Sequence, residues 1–130
     1  MTLAEAIDAI DRLKPNGYTP EEKTAWINQL EANIQMDVML LHYDQIVQHD
    51  FASDPDSQLL LDAGHAALYT AWLGAQVDFA NGEYDKYQHS MGMYNALWRQ
   101  FVAWFANTYH PANGYDTDAR RPAPGEGVGG

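Results

Sequence analysis

Residues 81–111 read NGEYDKYQHSMGMYNALWRQFVAWFANTYHP, and the large side chains in this run decide what the chain can become. Tyr84, Tyr87, Met91, Tyr94, Trp98, Phe101 and Phe105 recur at alternating steps of three and four. That spacing places all of them on one face of a helix with about 3.6 residues per turn. Leu97, Val102 and Trp104 widen the stripe beyond a coiled-coil seam, so the helix is expected to touch more than one neighbour. The run demands packed helices and offers no nucleophile, base or metal ligand.

The remaining punctuation extends the all-α reading. Thr2 followed by Glu5 is a capping box, and Leu3, Ala6, Ile7, Ile10 and Leu13 form the apolar face of a first helix. Lys14-Pro15-Asn16-Gly17 ends it. Thr19-Pro20-Glu21-Glu22 opens a second helix, with face Trp26, Ile27, Leu30, Ile34, Val38 and Leu41, expected to run to His42 or Tyr43. From residue 44 to 62 the period is lost and acids gather around Asp54-Pro55-Asp56, which predicts a loop with a short extended piece at 58–61. Asp62 can cap a third helix carrying Leu68, Tyr69, Trp72, Leu73, Val77 and Phe79, and Asn81-Gly82 turns it into the aromatic helix. The expected architecture is a four-helix bundle-like domain over 1–110 with an acidic mid-loop. Its core should hold Trp26, Leu30, Ile34, Trp72 and the seven residues of the stripe. Residues 111–130 change to glycine, proline and charge, which predicts an extended or disordered arm.

Composition narrows the chemistry. Eighteen acids against seven basic residues give a formal net charge of −11, which repels phosphate backbones. The acids could mimic DNA toward a host nucleic-acid-binding protein, let DNA slide past without adhering, or simply keep an aromatic-rich chain soluble. Cysteine is absent, so neither a disulfide framework nor a thiolate site exists. The amino terminus lacks a basic segment followed by an apolar run, and no stretch reaches the roughly 18 apolar residues of a membrane span. A soluble chain kept inside the cell, with no membrane contact, is the expectation. His42, His49, His65, His89 and His110 lack metal-ligand spacing, and Asp50, Asp54, Asp56 and Asp62 lack the glycine and terminal glutamate of a calcium loop. No serine elbow or phosphate loop occurs, and none of the acids stands out within an apolar stripe, Asp78 coming nearest. The expectation is therefore no enzyme, no metal and no cofactor.

Longer worded segments carry a resemblance. Tyr69-Thr-Ala-Trp72-Leu73-Gly-Ala75-Gln76-Val77-Asp78, Asn81-Gly82-Glu83-Tyr84-Asp-Lys86-Tyr87 and Ser90-Met91-Gly-Met93-Tyr94-Asn95 resemble a family of head–tail connector proteins of long-tailed phages and prophages of Gram-positive bacteria. The opening Lys14-Pro15-Asn16-Gly17-Tyr18, with Glu21-Glu22-Lys23 and Trp26, is similar to that family too, so the resemblance spans roughly residues 3–111. It departs from the family at Asp62-Ala63-Gly64, where a proline-containing turn would stand. The resemblance implies an adaptor ring in the virion at the head–tail interface, assembled in the host cytoplasm. Its implied partners are further copies of itself, the portal protein and the head-closure or stopper protein, with DNA passing through the channel without specific binding. The rival expectation is an acidic decoy for a host nucleic-acid-binding protein. In the arm, Tyr115 is expected to anchor, and Arg120 and Arg121 to engage carboxylates of a neighbouring subunit.

Overall fold

The computed structural model describes residues 1–108, and these are helical throughout apart from their turns and one long connection. Four α-helices form: α1 Leu3–Leu13, α2 Pro20–Asn33, α3 Ala66–Ala80 and α4 Tyr84–Thr108. No strand occurs among the described residues. None of their helices is long and apolar enough to cross a membrane. The expected arm, with Tyr115, Arg120 and Arg121, and the expected boundary at 110 and 111 lie outside the described residues.

The helix starts follow from local chemistry. Thr2 Oγ1 accepts from the Glu5 N–H at 3.1 Å while Glu5 Oε1 accepts from the Thr2 N–H at 2.8 Å. Thr19 and Glu22 repeat the box at 3.0 and 2.8 Å, with Pro20 at the first helical position. Each box satisfies two of the backbone donors that a helix start leaves without partners. Asp62 caps a short 3-10 turn, Ala63–His65, which feeds α3. At the other end of α3, Gly82 has φ +75, the left-handed turn that glycine adopts without strain.

The chain divides into two compact units, the first Met1–Trp98, with the described residues 99–108 belonging to the second. In the first, α1, α2 and α3 pack on one another. Leu3, Ala6, Ile7 and Ile10 meet Ile27, Leu30 and Ile34, with Leu68, Tyr69, Leu73 and Val77 completing the core. Each such large side chain contributes about 1.5–3 kcal/mol on leaving water. The part of α4 in this unit joins α3 through rings: Tyr94 lies 5.0 Å from Trp72, and Tyr87 lies 5.1 Å from Phe79, centroid to centroid. In the second unit, Phe101 is buried, with the Trp104 ring stacked and the Phe105 ring tilted against it, each 6.2 Å away centroid to centroid.

Several expectations about burial need correction. Leu30, Ile34, Tyr94 and Phe101 are buried, but Trp26, Trp72, Tyr87, Met91, Trp98 and Phe105 are half-buried. Tyr84 is 59% exposed and is no core residue. It begins α4 just after the turn, where α3 has already ended at Ala80, so only the edge of Phe79 reaches it, at 5.6 Å. Leu13 at the end of α1, with Val102 and Trp104 on α4, is exposed as well. The second helix also stops early. Its α-helical part ends at Asn33, and Ile34–Val38 forms a π-type turn in which the Met39 N–H donates to the Ile34 carbonyl at 2.9 Å. The extended piece expected near 58–61 contributes one isolated antiparallel bridge, Thr2 to Gln58.

Core substitutions should separate these classes. Ile27→Ala and Leu73→Ala are expected to lower stability by about 2–5 kcal/mol in urea denaturation. Trp98→Ala, at a half-buried site, should cost less than either.

Candidate assembly surface

One turn of α2 after another presents a polar side chain to the connection between Val47 and Leu61. The Asn28 amide pairs with His49 on both sides, donating to its carbonyl at 3.0 Å and accepting from its N–H at 2.8 Å. Gln35 does the same for Val47, at 3.1 and 3.0 Å. A side-chain amide thus offers these residues the donor and acceptor that a neighbouring strand would have supplied. Between the two amides lies Glu31, buried on the inner face of α2. Its Oε1 is 2.6 Å from His49 Nε2, and its Oε2 accepts from the Leu60 N–H at 2.7 Å and the Tyr69 hydroxyl at 2.6 Å. Leu61 N–H donates to the same tyrosine oxygen at 3.0 Å. Burial, with the Glu31 charge beside it, pushes the Tyr69 phenol well above its ordinary range.

His49 Nδ1 also lies 2.7 Å from Ser57 Oγ, so serine, histidine and glutamate form a chain. The connectivity is that of a nucleophile, base and orienting acid, and in this fold it also serves as a clamp between the connection and α2. Both ring nitrogens and both carboxylate oxygens already have partners within the chain. The Ser57 carbonyl is tied to the Leu3 N–H at 2.9 Å, which fixes the loop against the start of α1. Among the described residues no group of three or more His, Cys, Asp or Glu is arranged to hold a metal ion.

Pinning the loop inward leaves its approach from α2 outside. Met36, Met39, Leu40, Tyr43 and Val47 are all exposed, Leu40 at 80%, Tyr43 at 75% and Val47 at 69%. Leu40 moreover has φ 59, a left-handed conformation costing a leucine roughly 1–2 kcal/mol. Among the described residues nothing covers the Leu40 side chain, where glycine would relax the backbone and a polar residue would suit the water. Exposed apolar clusters of this kind mark contact surfaces, and π-type turns recur at functional positions.

A groove of about 320 Å³ lies between α1, α3 and α4. Ile10, Leu13, Ala71, Gly74, Met93 and Leu97 line it, and Leu13 and Met93 stand at its exposed edge. Its polar end is fixed by Asp78, buried on α3, whose Oδ2 lies 2.5 Å from Lys14 Nζ and accepts from the Ser90 hydroxyl at 2.7 Å. Asp78, the acid that comes nearest to an apolar stripe in the sequence, is thus paired near the end of α3. Glu31, by contrast, contradicts the expectation that no acid stands within an apolar stripe. Its position between Ile27, Leu30 and Ile34 was the available signal.

No family model, curated protein or solved structure matches the chain.

Two substitutions test the clamp. Glu31→Leu strips three donors of their acceptor and is expected to lower stability by about 3 kcal/mol, read by urea denaturation. Tyr69→Phe should act through pH. The folded chain holds the Tyr69 proton that the unfolded chain loses near 10.0, so this contribution is complete below that pH and declines above it. Denaturation midpoints between neutral pH and pH 10–11 should fall less steeply for Tyr69→Phe than for the parent.

Proposed function

We propose that this chain is a structural virion protein, the adaptor ring of a phage head–tail connector, docking beneath the portal and extending the DNA channel toward the tail. The carrying observation is the apolar segment from Met36 to Val47, held out in water by a strained leucine and a pinned loop. A surface like that gains free energy when another protein covers it. The resemblance of residues 3–111 to connector proteins of Gram-positive phages supplies the assembly in which such a surface belongs. In this reading a four-helix bundle-like protomer is repeated around a ring through heterologous contacts. A formal charge of −11 suits a channel wall past which DNA slides without adhering. Portal, stopper protein and further copies are the partners, and neither catalysis nor a cofactor enters the role.

The decoy alternative fits the acids less well. Asp8, Asp11, Asp78 and Glu83 are each paired with a basic residue of the same chain, and Glu31 is buried. Such carboxylates are committed to the fold and do not copy a line of phosphates.

Mixing the purified chain with the portal protein of the same phage should produce a co-complex at micromolar concentration by light scattering. Electron microscopy should then show a ring of the chain on the portal's tail-facing side. Absence of any co-complex would overturn the adaptor reading.

A further inference from the structure

Two apolar features of the first unit are left open by the described residues. One projects: Leu40 and Tyr43, with Met39 and Val47 beside them. The other recedes: the groove between α1, α3 and α4, whose lining includes neither α2 nor any residue of 34–47. Its size of about 320 Å³ admits a leucine with part of a neighbouring side chain. Gly74 keeps the floor low, since a Cβ there would already stand 3.5 Å from the Lys14 stem and 3.7 Å from Ile10.

Charge matches the two features in the same sense as shape. Residues 34–47 contain Asp37 and Asp44 and no lysine or arginine. The groove ends at Lys14, and an adjoining cavity shared by Leu13 and Lys14 adds Lys86 together with Asp78 and Glu83, so this end is charge-balanced in a chain that is otherwise strongly acidic. Lys14 is paired with Asp78 and Lys86 with Glu83, yet both side chains retain exposed surface from which to meet a second carboxylate. In a chain of net charge −11, two copies approaching at random repel each other. A contact that sets an acidic projection against a lysine-edged groove is one of the orientations in which that repulsion is relieved.

We propose that the Leu40 projection of one copy seats in the α1/α3/α4 groove of the next, forming the subunit contact of the assembly. The proposal rests on the ring reading for what the contact builds, although the contact itself is defined by these two surfaces. It is heterologous, because projection and groove are different parts of the molecule. Each copy therefore offers one of each, and the contact can be propagated or closed into a ring.

The cysteine-free sequence makes the test direct. Leu40→Cys and Met93→Cys change exposed positions, so both variants are expected to melt with the parent. Mixed under mild oxidation, the two should form a disulfide-linked pair roughly tenfold faster than either variant forms with itself, because a specific contact raises the local concentration. Faster pairing of Leu40→Cys with itself, or equal rates in all three reactions, would overturn the proposal. A chain carrying both substitutions then tests the ring separately. One closed covalent species of a single size supports contact and ring together. An open ladder, with the mixed pair still favoured, keeps the contact and removes the ring.

Discussion

A single buried carboxylate organises this fold. Glu31 sits on the inner face of α2, where leaving it without partners would cost far more than a typical hydrogen bond returns. Its acceptor capacity is met by His49, Leu60 and Tyr69, so α2, the long connection and α3 must come together around it. The connection then lies against α1 as well. Leu3 and Ala4 donate to the carbonyls of Ser57 and Pro55, and Leu59 donates to that of Met1, all at 2.9–3.0 Å. A segment of acidic and irregular sequence thereby becomes part of the packed structure, with Leu59 buried beneath it.

The surface follows from that constraint. Because the amides of Asn28 and Gln35 engage the loop backbone from inside, the chain between the π-type turn and Val47 must cross the outside. Met39, Leu40 and Tyr43 do not reach the core, which is already filled by Ile27, Leu30, Ile34 and Tyr69. Polar groups inside and apolar groups outside reverse the ordinary arrangement at this place. That reversal is why the segment reads as a contact surface, and it is what the adaptor proposal draws upon.

Much of the fold was legible in the residues, for local reasons. The capping boxes at Thr2 and Thr19, the proline opening α2 and the glycine turn before α4 act within a few positions of themselves. Periodicity located α1, α3 and α4 for the same reason. It failed where distant segments decide. An apolar stripe from Trp26 to Leu41 suggests one continuous helix, but its π-type turn and the left-handed Leu40 depend on Gln35 being drawn toward Val47. Glu31 does not stand out among the acids of the sequence because its partners lie 18 to 38 residues away. Tyr84 obeys the period yet stands past the end of its partner helix. The stripe on α4 showed where a helix would be; it could not show how much of that stripe a single copy covers.

Amide hydrogen exchange at Leu60, Leu61, Val47 and His49 tests the organising role of Glu31 most directly. If the buried carboxylate and the flanking amides hold the connection, these four amides should be protected to nearly the degree of Leu30 and Ile34 in the parent protein. In Glu31→Leu, examined where that chain is still folded, protection at Leu60 and Leu61 should collapse while that of α1 persists. Exchange of the four amides in the parent at rates of an unstructured loop would contradict the account, as would protection at Leu60 that survives the loss of Glu31.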